Sequence, residues 1–181
     1  MKHIRFGLGA VAAALCMATG ASAQGLQKPD VAFLKQAAQN GHAEVESSKI
    51  AQTKSRNPQV KAFAAQMVED HTKVNDELKA LAASKGVELP NEPSAMQKGK
   101  TKVLGAMDGE RFDKRYADEM GVDAHEDTIK LFNKAATEAK DPEVKAFAAK
   151  TLPALQHHLK QAQDLNAAVK AGKGEGAASR P

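Results

Sequence analysis

Four side chains in this sequence could converge on one ion: Glu44, His71, His125 and His158. Imidazole nitrogens with a carboxylate oxygen are a donor set that suits zinc, iron, manganese or copper. Each of the four falls on the apolar stripe of a different amphipathic segment. Asp70 precedes His71 and is placed to hold an imidazole in orientation; the bland reading of it is a solvated helix charge. Tyr116, the sole tyrosine, lies on the stripe that carries His125 and, with Asp70, is the other candidate to support the ligands; the bland reading is core packing with a hydroxyl partner. A competing reading of the same residues is a buried His–Glu hydrogen-bond network without metal. A lone histidine on an apolar stripe is more often structural than ligating. Three histidines and a glutamate at a common height favour an ion.

Other chemistries find no support. No His-Glu-x-x-His motif and no glycine-rich phosphate loop occur, and no serine sits in a recognised nucleophile context. Cys16 is the only cysteine. The chain therefore reads as a binding protein more than an enzyme, with no catalytic residue assigned. His42 and His157 fall off the central faces, and Met67 reads as core filler before copper ligand.

The elements that must position these residues are helical. Asp30 is expected to cap a first helix over about 30–55, with Phe33, Ala37, Gly41, Glu44, Ser48 and Ala51 on one face. Asn57-Pro58 restarts the chain as cap and first helical residue. Val60, Phe63, Met67, His71, Val74, Leu78 and Leu81 then mark a helix over 58–85, closed by Gly86 in a left-handed conformation. Residues 86–108 carry prolines and glycines and hold a short helix near 94–104. They are long enough to run the length of a bundle, so the second and third helices are expected to be parallel. Asp108 is expected to cap a third helix over 109–139, and Asp141-Pro142 opens a fourth over 142–170.

The two proline starts belong to a repeat. Asn57–Gln66, NPQVKAFAAQ, returns as DPEVKAFAAK at Asp141–Lys150. Pro58 matches Pro142 at an offset of 84, and Leu78 matches Leu165 at 87, which pairs His71 with His158. Three added residues then enter near Pro153, where a kink or bulge is expected. Phe33 matches Tyr116, and His42 matches His125, at 83. The chain is two helical hairpins of one design.

The ends lie outside this bundle. Lys2, His3 and Arg5, an apolar run from Phe6 to Thr19 and Ala21-Ser22-Ala23 form a secretory signal over 1–23, cleaved after Ala23. Its removal takes Cys16 with it. Residues 24–28 are a short extension, and 171–181 are a polar, glycine-rich tail expected to be disordered. The net charge of +4 falls by two with Lys2 and Arg5, too little for a nucleic-acid footprint. No second apolar run exists to span a membrane. The expected location is the periplasm, with peripheral outer-membrane association as the variant.

Glu44, the run PQVKAFAAQMVEDHTK, FDKRYADEM with His125, and KAFAAKTLPALQHHL together resemble the family known as domain of unknown function 4142. The resemblance spans about residues 29–168. It implies an exported bacterial protein with a ferritin-like fold, without an established activity. Ferritin-like di-iron proteins carry Glu-x-x-His pairs. Here the residues three before each histidine are Gln39, Val68, Val122, Ala154 and Leu155. A di-iron centre is therefore not expected. The reading is an all-α, ferritin-like four-helix bundle holding one transition-metal ion at Glu44, His71, His125 and His158, for metal handling or stress in the envelope. The alternative is a structural or interaction protein whose inward polar residues form a packing network.

Overall fold

The computed structural model describes residues 25–172, so the expected signal, Cys16 and most of the expected tail lie outside the described residues. Four long helical runs form two hairpins joined by a crossover: α1 (Lys28–Lys54), α2 (Pro58–Ser84), α3 (Ala95–Gly105), α4 (Gly109–Arg115) continuing through a π-helical segment (Tyr116–Asp123) into α5 (Ala124–Glu138), and α6 (Pro142–Lys170). Among the described residues there is no strand. This is a ferritin-like four-helix bundle with one short extra helix in its crossover.

Both prolines of the repeat begin helices. Asn57 Oδ1 accepts from the Gln59 amide at 2.9 Å, and Asp141 Oδ1 accepts from Glu143 and Val144 at 2.9 and 3.0 Å. Gly86, at φ 66°, ends α2. The Val87 amide donates to Ala82 at 2.9 Å and the Gly86 amide to Ala83 at 3.1 Å, which closes the carbonyls of the last turn. Ser94 and Gln97 form a reciprocal cap on α3.

Two expected caps act otherwise. Asp30 lies inside the first turn of α1 and makes no cap there. It is 2 % exposed and accepts from the backbone amides of Lys140 (3.1 and 3.2 Å) and Asp141 (2.8 Å). Asp108 does precede α4, but its carboxylate pairs with Lys54 at 2.7 Å. Each carboxylate is taken by a neighbouring helix end rather than by its own.

Those contacts give the directions. The start of α1, the end of α2 (Lys85 to Asp141, 2.9 Å) and the α5–α6 corner share one end of the bundle. The end of α1 meets the start of α4 at the other. Hence α2 and the α4–α5 helix run parallel, as the crossover requires. α1 packs on α2 and α5, and α6 packs on α5 and α2.

No bulge forms near Pro153, and one forms in the third helix, where none was expected. α6 stays helical through Pro153, which sits with Ala149 on the exposed side. Solvent there can take up the carbonyl that proline leaves unpaired. The third helix carries the π segment instead, with the Ala124 amide donating to Glu119. A π turn absorbs one residue more than an α turn. Offsets of 83 before it and 84 after it are the arithmetic of one added residue. His125 lies past that insertion and so matches Gly41 rather than His42.

The core is split. One apolar cluster contains Phe33, Leu34, Leu78, Phe132, Val144, Phe147 and Leu155. The other contains Val60, Phe63, Met67, Leu104, Phe112, Tyr116, Leu165 and Val169. On every long helix the residues between the two clusters are buried and polar: Glu44, Ser47 and Ser48, then His71, then His125 and Thr128, then His158.

Candidate metal centre

Each histidine comes from a different long helix and enters this middle layer. His71, on α2, follows Met67 by one turn and is 5 % exposed. His125 opens α5 just past the π segment and is 1 % exposed; His158, on α6, is 3 % exposed. One nitrogen from each lies within 4.8 Å of the others, an arrangement that could hold a metal ion. The three ring centroids form a near-equilateral triangle with sides of 5.4, 5.4 and 5.6 Å. His71 Nε2 and His125 Nε2 stand 3.3 Å apart. Two nitrogens at about 2.0–2.1 Å from a tetrahedral ion would be separated by about 3.3–3.4 Å.

Hydrogen bonds decide which nitrogens are bare. His125 Nδ1 lies 2.8 Å from the Gly121 carbonyl, which can only accept. The proton is therefore on Nδ1, and Nε2 of the neutral ring presents its lone pair. His158 Nε2 donates to Asp70 Oδ2 at 2.9 Å. Its Nδ1 is left as the lone-pair nitrogen, buried and without a hydrogen-bond partner. Buried polar atoms are rarely left this way. Asp70 is held in turn by Gln66 Nε2 (3.3 Å), and Gln66 by Gln161 (3.0 Å).

Burial also keeps the rings neutral, the form that binds metals. His71 is held well below the usual histidine range, first by burial and then by the charges of His125 and His158. Burial, and then His158, lowers His125 to about 4, against the opposing bond to Gly121. His158 is lowered by burial, although Asp70 pulls the other way.

Glu44 stands outside the trio. It is 6 % exposed, lines a cleft between α1, α3 and the π segment, and is pushed up to about 8 by burial. Tyr116 is buried lower in the bundle. Its hydroxyl pairs with Ser48 Oγ at 2.9 Å, and its ring packs on Phe63 and Phe112. Its partner is thus a serine, not an imidazole of the cluster. Asp70 bonds directly to His158. His42 is half-buried in a different cleft beside Asn75, and His157 is exposed. Met67 is buried within the second apolar cluster.

The sequence reading did not identify Gly121 as a participant. Its carbonyl sets the His125 tautomer, and a methyl group at this position would meet Ala162 Cβ at 3.0 Å. The available signal was the one-residue change of offset between the two hairpins, which marks an insertion in this helix. The Gln66–Gln161 pair, which steadies Asp70, left no such trace.

Two solved structures share the architecture. A DUF305 fragment from Deinococcus radiodurans superposes with a TM-score of 0.69 at 12 % identity, covering 79 % of this chain and 98 % of its own. A conserved hypothetical protein from Mycobacterium tuberculosis gives 0.58 at 17 % identity, covering 76 % and 96 %. At such identities the likeness is one of fold. No curated protein matches the chain. The family model described as domain of unknown function DUF4142 matches residues 16–165, and the chain belongs to that family.

Proposed function

We propose that this protein is an exported metal-binding bundle that holds one transition-metal ion at His71, His125 and His158. The observation that carries this reading is the pair of fixed tautomers. Gly121 and Asp70 each take the N–H of one imidazole and leave the opposite nitrogen bare in a buried layer. An Asp–His–metal relay of this kind fixes ring orientation and raises ligand basicity. Imidazole donors favour zinc, copper, iron or nickel over magnesium or calcium. Apolar clusters above and below keep competing water away. Glu44 is not a standing ligand in this reading. The signal-like residues 1–23 support action in the cell envelope, in metal handling or stress.

Elemental analysis of the purified mature protein after metal supplementation tests the proposal. About one equivalent of a single metal is expected, lost when His71, His125 and His158 are replaced together. Less than about a tenth of an equivalent would overturn it. Fractionation of cells checks the location; recovery in the cytoplasm would refute export.

One observation favours the structural reading. His71 Nε2 is within hydrogen-bond distance of His125 Nε2, so the pair can satisfy itself without an ion. In that case the triple variant loses stability but no metal-dependent property.

A further inference from the structure

The histidines are buried, so an ion must pass through a neighbouring opening to reach them. A cleft of about 600 Å³ lies between α1, α3 and the π-bulged helix. Met120 and Ala124 line it, one on either side of Gly121 and the chain leading into His125. Two side chains at the cleft are more than nine-tenths buried, Glu44 and Thr101, and the Thr101 hydroxyl has no partner among the described residues. Glu119 also lines it. Arg115 occupies Oε1 of Glu119 at 2.8 Å, and Oε2 remains buried and unpaired. Buried oxygens without donors are costly unless something occupies them intermittently.

We propose that this cleft is the loading route of the metal centre, with Glu44 as the inner, transient ligand of the incoming cation. The inference rests on the histidine-trio reading above. All three cleft donors are oxygens, whereas the trio offers nitrogens. Late transition metals bind imidazole more strongly than carboxylate or hydroxyl, so an ion held at Glu44 gains by moving inward. Glu44 gives up its proton as the cation binds, and the trio then retains the ion. This also accounts for a carboxyl at the height of the histidines that is not one of their group.

Stopped-flow mixing of Co²⁺ with metal-free mature protein tests the route, because tetrahedral cobalt absorbs in the visible. Wild type, Glu44→Gln and Ala43→Phe (which fills the cleft) are compared, with equilibrium titrations run in parallel. Loading and release should both slow about tenfold or more in each variant, in the range by which charged clefts alter association. Equilibrium affinity should stay within about threefold, since the standing ligands are untouched. Loading of both variants at the wild-type rate would overturn the route. A tenfold loss of equilibrium affinity in Glu44→Gln would overturn its transient role and make it a standing ligand. No cobalt bound by wild type at equilibrium would defeat the trio itself, and the loading route with it. Should Glu44→Gln not fold, by circular dichroism, Ala43→Phe alone decides.

Discussion

Replacing Glu44 with glutamine tests the middle layer without any metal. The carboxyl is 6 % exposed, has no hydrogen-bond partner among the described residues, and is raised by burial from 4.5 to about 8. Between those values the folded chain keeps the proton that the unfolded chain has released. Stability therefore falls as pH rises through this window, since folding then requires proton uptake. A tenfold change in proton affinity is worth about 1.4 kcal/mol, so the full window amounts to about 5 kcal/mol. That is comparable with the whole stability of a small domain, about 5–15 kcal/mol. Glutamine has nearly the same shape and no proton to lose. The assay is urea unfolding of metal-free wild type and Glu44→Gln from pH 4 to pH 9. The histidines titrate alike in both proteins and cancel in the difference. Glu44→Gln should gain on wild type by about 5 kcal/mol between the two ends of the range, and most steeply above pH 5. Parallel curves would refute the reasoning, because a solvated or paired carboxylate would leave no such difference.

Other expectations concern the holders of the histidines and the end of the bundle. Asp70→Ala removes the acceptor that fixes His158; metal affinity should fall about 10–100-fold by equilibrium titration, and Asp70→Asn, which still offers an oxygen, should lose less. Gly121→Ala drives a methyl group against Ala162; it should cost about 1–3 kcal/mol in urea unfolding and weaken metal binding, and adding Ala162→Gly should restore the binding. Asp30→Ala strips the acceptor from the Lys140 and Asp141 amides at the α5–α6 corner. A loss of about 3 kcal/mol is expected from the denaturation midpoint, with metal affinity unchanged.

Much of the architecture was legible because it is written in local signals. Proline after Asn57 and Asp141 and glycine at 86 each act within one turn of chain, so their outcome depends little on what packs beside them. The three histidines could be placed on inward faces from helical period alone. Glu44 could also be placed inward, but not in depth or partner. Its side chain emerges toward the crossover helix, and the sequence does not say where α3 lies. Asp30 and Asp108 show the same limit. Both occupy good capping positions, yet each carboxylate found a stronger partner on another element.

The sequence by itself determined the helices, the two-hairpin plan and the three imidazoles at mid-height, because helix starts, stops and faces are short-range properties of the chain. Only the tertiary structure decided that the three close into one triangle while Glu44 stands apart. It also decided that the one residue added before Pro142 is taken up as a π segment at Tyr116–Asp123, and that α6 stays helical through Pro153. The reason is physical. One inserted residue turns a helix by about 100°, and the chain accepts that turn where packing rewards it. Here the π segment precedes His125, and its Gly121 carbonyl receives the imidazole proton and leaves the other nitrogen bare.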